Sequence, residues 1–192
     1  MIGLKFEKNE IRQQILEKRI LVPENEKIDA DKRISSRFLN LASLRFAETI
    51  LLYSPIKGEP DITEAAIEAV KRGKKIAYPK CDPETCTMNY YFVSSPDELV
   101  PGTYGISEPP ENAEMYVPSP DKHDIIVVPA VCYDKSGFRI GYGRGYYDRY
   151  LSDFGGSSVG LSMHRFLQAK LPRGKYDKSV NIIITEKGVI TP

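Results

Sequence analysis

The stretch from Thr49 to Pro79 constrains the fold most. It reads "TILLYS", a short strand of buried type, then "TEAAIEAVKRG", a helix, then "KKIAYP", a second strand. Strand, helix and strand within about thirty residues is the spacing of a parallel βαβ unit, because parallel strands need a long crossover. Thr63 stands where a helix N-cap belongs and Gly73 where the helix should stop. Pro79 is expected to close the second strand, since it offers no N–H to a ladder.

The other segments extend this plan. "KNEIRQQILEKR", Lys8 to Arg19, is rich in helix formers, and "IDADKRISSRFLNLASLRF" follows a proline-containing break with apolar residues at helical spacing. "TMNYYFV" alternates as a strand nearer an edge, and the Pro- and Gly-rich stretch from Ser94 to Pro120 is expected to be mostly loop. "DIIVVPAVCYD" is the most apolar strand and is placed at the centre, running directly into a glycine-rich segment that opens a helix near Tyr146. "SSVGLSM" and "VNIIITEKGVI" supply later strands. The expected fold is α/β, a three-layer α/β/α arrangement with an open, largely parallel sheet and one domain over residues 1–192.

Charge and composition exclude several functions. The net charge of +1 argues against a polyanion-binding face, so no nucleic acid partner is expected, and any grip on phosphate must come from local placement. No apolar run is long enough for a bilayer, and "MIGLKFEKNEIRQQ" lacks the apolar middle of a signal peptide, so the expected location is cytoplasmic with no membrane partner. Cys81, Cys86 and Cys132 form no even framework, and with two histidines in the chain a zinc site is not expected. Whether Cys81 and Cys86 pair on oxidation stays open.

"RIGYGRGYYDRYL" holds Gly141, Gly143 and Gly145 at alternate positions. Alternate glycines are costly in chain entropy. They remove Cβ atoms, so that consecutive amides can turn inward as an anion-binding concavity. A helix opening at Tyr146 adds its positive end, and Arg139 and Arg144 add formal charge. The spacing is neither that of a Walker loop nor that of the dinucleotide fingerprint. Asp148 lies just beyond, and a carboxylate beside phosphates repels them unless a divalent cation such as magnesium lies between. The plainer alternative is a glycine-rich turn in which Asp148 satisfies the helix start. At about 100° per residue Lys8, Arg12 and Arg19 fall on one narrow helical stripe, beside Ile11 and Ile15. That stripe reads either as a solvated cationic face or as a basic edge for an anion.

"RIGYGRGYYDRYL" preceded by "DIIVVPAVCYD" closely resembles the signature of the 5-formyltetrahydrofolate cyclo-ligase family. The likeness extends over nearly the whole chain, through "KNEIR", "YSPIKGEPDIT", "YGISEP" and "LPRGKYDKSVNIIITEKGVI". It implies ATP-dependent closure of 5-formyltetrahydrofolate to 5,10-methenyltetrahydrofolate, with ATP as co-substrate and Mg2+ as cofactor. The implied ATP-binding residues are Lys8, Arg12, Arg139, Ile140, Gly141, Tyr142, Gly143, Arg144, Gly145, Tyr146 and Tyr147. Tyr53, Glu59 and Tyr147 are the implied folate contacts, and Asp148 and Asp177 the implied metal ligands. Asn181 stands where relatives often carry aspartate and is assigned no role; Arg19 only supports the phosphate contacts. Met88, Tyr90 and Phe92 fit either a ligand wall or the core, and His164 is read as solvent-facing or capping. The expected partners are small molecules, bound by a monomer. Two rivals remain at this point: a sugar-phosphate isomerase or transferase, which needs no ATP, and a paralogue that binds folate or nucleotide without turnover.

Overall fold

The computed structural model describes residues 2–119 and 123–192; the end of the proline-rich stretch at Pro120 lies outside them. Helices α1 (Ile2–Ile20), α2 (Glu24–Leu39) and α3 (Ala42–Phe46) precede β1 (Thr49–Leu51), α4 (Thr63–Lys71), β2 (Lys75–Asp82) and β3 (Thr87–Val93). Then come β4 (Val100–Pro101), β5 (Ser107–Glu108), β6 (Ile125–Val128), β7 (Cys132–Tyr133) and β8 (Arg139–Ile140). Helix α5 (Tyr146–Asp153), β9 (Ser157–Leu161), β10 (Ile182–Thr185) and β11 (Gly188–Ile190) complete the chain.

The main sheet runs β11-β10-β9-β6-β1-β2-β3. Its inner strands β10, β9, β6, β1 and β2 are parallel, and the edge strands β11 and β3 are antiparallel. β6 is the middle strand of the seven, as its unbroken apolar run implies, and it is buried on every residue. One face is covered by α2 and α4, whose Ile34, Phe38, Ala65 and Ala69 pack on Ile50, Ile76 and Val127. The other face meets α5, whose Tyr146, Tyr147, Tyr150 and Leu151 pack over Leu51, Ala77 and Ile126. These are the three layers expected. Ala30, Ile34 and Phe38 recur every fourth residue of α2, so one stripe is buried and the rest is charged. Full burial of a side chain such as Ile34 or Phe38 contributes roughly 1.5–3 kcal/mol.

Local details differ from the sequence expectation. β2 continues through Pro79 to Asp82. β1 pairs with β2 only as far as Ala77, so at Pro79 the missing N–H falls on the open side and costs no ladder bond. Thr63 is not the N-cap of α4; Asp61 instead accepts the Thr63 backbone N–H (2.9 Å) and hydroxyl (2.7 Å). "DIIVVPAVCYD" is not one strand. β6 stops at Val128 before Pro129, and β7 pairs antiparallel with β8 in a separate ribbon. That ribbon aims the glycine segment.

Candidate active site

β1 leads through α4 to β2 on one side, whereas β6, its other neighbour, leads on to β9 on the far side. The carboxyl ends of β1 and β6 therefore flank the point where strand order reverses, the place where open α/β sheets bind ligands. The loop carrying Glu59 leaves β1 there, and the β7–β8 ribbon with its glycine segment leaves β6.

Gly143 (φ 95°) and Gly145 (φ 72°) sit in the left-handed region, where a side chain is strained. A Cβ added at Gly141 would meet no protein atom within 4 Å, so packing does not account for this glycine. Among the described residues the backbone N–H groups of Tyr142, Gly143, Arg144 and Gly145 donate to no protein acceptor. The first turn of α5 adds further N–H groups that no helix can satisfy internally. Arg12 Nε donates to the Gly141 carbonyl at 2.7 Å and ties α1 to the segment, with its Nη2 beside Gly143. Arg144 lies over the Tyr104 ring, 5.7 Å from its centroid.

The two acids expected to bind metal are linked through the main chain of Lys178. Lys178, next in the chain to Asp177, donates its backbone N–H to Asp148 Oδ1 at 3.1 Å. Arg139 donates to the same oxygen (2.9 Å) and to the Lys178 carbonyl (2.8 Å). Asp177 Oδ2 accepts from Lys8 and from the Gly174 N–H. Among the described residues Asp148 Oδ2 and Asp177 Oδ1 accept no hydrogen bond. No three His, Cys, Asp or Glu side chains cluster to hold a metal unaided among those residues. Two neighbouring acids, each with one bare oxygen, suit magnesium completed by phosphate oxygens and water. Arg139, expected at the mouth, is buried behind Asp148 and serves as its counter-charge, while Ile140 is buried and offers backbone alone.

Of the residues expected to contact folate, Glu59 is the most enclosed, at 2 % exposed. Its Oε2 accepts the Ile56 N–H at 3.0 Å and its Oε1 accepts the Tyr142 hydroxyl at 3.0 Å. Burial pushes the Glu59 carboxyl up to about 7, opposed by the Ile56 N–H, Arg19, Tyr142 and Lys57. Tyr142, placed by sequence with the nucleotide, thus joins the glycine segment to the loop carrying Glu59. Tyr53 is buried, with its hydroxyl on the Pro60 carbonyl (2.7 Å), and shapes the loop from beneath. Tyr147 is half-buried in the α5 face, against the cluster containing Tyr90 and Met88, and Tyr146 reaches the Asp82 carbonyl at 3.3 Å. Arg19 does not join Lys8 and Arg12 at the phosphate side; it turns inward towards Glu59. Asn181 accepts from the Ser158 N–H and hydroxyl (both 2.8 Å) and fixes β9 to β10. His164 donates its backbone N–H to Glu186.

Two positioning residues have no part in the sequence expectation. Asp134, fully buried, accepts the N–H groups of Ser136, Phe138 and Leu171 and the Arg173 guanidinium, and so locks the β7–β8 turn to the C-terminal segment. Its local signal is present, because Asp two residues before Ser-Gly is a turn pattern. Arg149 bridges the Arg144 carbonyl (2.8 Å) and the Cys86 carbonyl (2.9 Å), fastening the glycine segment to the β2–β3 hairpin. A hydrogen bond across 63 residues has no local signal.

The fold is that of an open-sheet α/β protein, a class in which ligands bind where strand order switches. Residues 5–186 match the model of the 5-formyltetrahydrofolate cyclo-ligase family. The 5-formyltetrahydrofolate cyclo-ligase of Haemophilus influenzae is 30% identical over 88% of this chain and 92% of its own length. That of Mycoplasma pneumoniae is 27% identical over 95% of this chain and the whole of its own. The solved 5,10-methenyltetrahydrofolate synthetase of Aquifex aeolicus superposes with a TM-score of 0.83 at 36% identity, covering 96% of this chain and 92% of that one. The chain belongs to the 5-formyltetrahydrofolate cyclo-ligase family.

Proposed function

We propose that this chain converts 5-formyltetrahydrofolate and ATP to 5,10-methenyltetrahydrofolate, ADP and phosphate. The ATP γ-phosphoryl passes to the formyl oxygen on N5 as ADP leaves, N10 attacks the activated carbon and gives up its proton to solvent, and the C–O bond to phosphate breaks. The carrying observation is the row of unpartnered N–H groups over Tyr142–Gly145, set beside the Asp148–Asp177 pair and joined by Tyr142 to Glu59. The segment and α5 cradle the phosphates, Lys8 and Arg12 supply positive charge, and Glu59 accepts from the pterin. Asp148 and Asp177 would hold magnesium, which when bound neutralises phosphate charge. With no protein nucleophile required, catalysis is alignment and charge neutralisation. Absorbance of the methenyl product, followed with and without ATP and magnesium, tests the reading; product formed without ATP defeats it.

Two outcomes follow from the cradle. Gly141→Ala places a methyl where no protein atom stands, so stability stays within about 0.5 kcal/mol of wild type by urea titration. Its affinity for ATP, read by calorimetry, falls about tenfold, because the methyl occupies the anion's space. Lys8→Ala and Arg12→Ala raise the KM for ATP about tenfold or more, the worth of one hydrogen bond to a charged group. They leave the KM for folate nearly unchanged. A larger rise in the folate KM would move the basic stripe to the folate's carboxylate tail.

A further inference from the structure

Arg19 is a buried cation that the reaction as proposed above does not use. It lies in the last turn of α1, is 5% exposed, and takes part in no ion pair among the described residues. Nη2 donates to the Ala130 carbonyl at 2.6 Å, and the guanidinium lies over the Phe166 ring. Among the described residues Nε and Nη1 are buried without a hydrogen-bond acceptor at bonding geometry, with the Tyr142 hydroxyl nearby. A buried cation with unused donors is unfavourable, so its retention calls for a use. Its surroundings indicate which. The side chain packs under Gly58, where an added Cβ would stand 3.5 Å from the Arg19 Cβ. Its charge faces the Glu59 carboxylate and the Tyr142 hydroxyl. One small volume therefore holds a fixed acceptor, fixed idle donors, and between them a hydroxyl that can both donate and accept.

The 2-amino-4-oxo edge of a pterin presents two donors, the 2-amino group and N3–H, followed by one acceptor, O4. We propose that Arg19 is a specificity-determining residue whose free N–H groups receive the pterin O4 while Glu59 receives the 2-amino and N3–H groups. The Tyr142 hydroxyl holds this place in the structure and leaves it when the ring enters. Gly141 and Gly143 flank Tyr142, and Gly143 already has a left-handed backbone, so the residue can swing without dragging bulky neighbours. The inference rests on Glu59 being the pterin's partner in the proposed function.

The test uses 5-formyltetrahydrofolate and its 4-amino counterpart, in which the acceptor O4, facing Arg19, is replaced by a donor and N3, facing Glu59, gives up its hydrogen. Calorimetric titration of the wild-type chain is expected to favour the 4-oxo form by about a hundredfold, because a site built to donate rejects a second donor. In Arg19→Met the share of that preference due to O4, about tenfold, disappears while the share due to N3–H on Glu59 and the affinity for ATP are retained; Arg19→Lys, with one ammonium donor, restores part of the lost share. A merely structural role for Arg19 would weaken both ligands alike. Full preference retained in folded Arg19→Met overturns the proposal. Should Arg19→Met fail to fold by circular dichroism, Arg19→Lys decides instead, and undiminished preference there overturns the proposal. Wild-type chain that binds both ligands equally sinks this inference alone; wild-type chain that binds neither sinks the cyclo-ligase reading with it.

Discussion

Asp148→Asn lowers kcat about a thousandfold, close to 4 kcal/mol of transition-state stabilisation, with the chain still folded. The side chain keeps its size, and the amide oxygen can still accept from Arg139 and the Lys178 N–H, the two bonds Asp148 makes now. What is lost is the negative charge presented to a cation by the oxygen that accepts nothing. The variant also leaves Arg139, whose side chain is 4% exposed, without its counter-ion, so a moderate drop in Tm accompanies the loss. The two effects separate in a binding experiment. On the proposed reading magnesium is expected to raise the affinity of the wild-type chain for ATP, and in Asp148→Asn that increment is expected to disappear while the metal-free affinity remains. Near-normal turnover of the variant at saturating magnesium would remove Asp148 from the metal site.

The legible parts of the fold were those written in local chemistry. The β1–α4–β2 unit, the central position of β6 and the start of α5 at Tyr146 all follow from apolar runs and breakers within a few residues of one another. Pro79 misled because a proline ends a strand only where its N–H is needed, and whether it is needed depends on how far β1 extends alongside. The split of "DIIVVPAVCYD" was hidden for a related reason. Cys132 and Tyr133 are as buried as β6, but they belong to the ribbon, from which Tyr133 packs onto Gly160 of β9 so closely that a Cβ there would lie 2.5 Å from the ring. Helical spacing placed Lys8, Arg12 and Arg19 on one stripe, yet a stripe of that length spans several neighbours. Lys8 meets Asp177, Arg12 meets Gly141 and Arg19 meets Ala130, contacts separated by more than a hundred residues of chain. The candidate site was therefore legible as residue types and became geometry only through the tertiary fold.

Glu59→Gln makes the chain more stable at pH 8 while removing its affinity for folate. Burial raises the Glu59 carboxyl from 4.5 to about 7, so the folded state holds its proton more tightly than the unfolded state. Wild-type stability from this group is therefore greatest below about pH 4.5 and declines as pH rises to about 7, by about 3 kcal/mol in total. The groups facing it are Arg19 from α1, Lys57 on its own loop, and the hydroxyls of Tyr53, Tyr133, Tyr142 and Tyr147. Arg19 and Lys57 oppose the rise without cancelling it, because burial is the largest influence. Glutamine carries no charge at any of these pH values, and its carbonyl can still accept from the Ile56 N–H or the Tyr142 hydroxyl. Urea titrations at pH 5 and pH 8 are expected to show the decline in wild-type chain and its absence in Glu59→Gln. Folate affinity falls about a hundredfold or more in the variant, since an amide N–H then meets a pterin donor. Wild-type folate affinity itself weakens as pH drops below about 7, where the acceptor becomes protonated. A charged acceptor kept buried at a cost in folding stability fits a place where a ligand needs it. Equal pH dependence of wild type and variant, with folate still bound by Glu59→Gln, would return Glu59 to the role of a loop-shaping hydrogen bond.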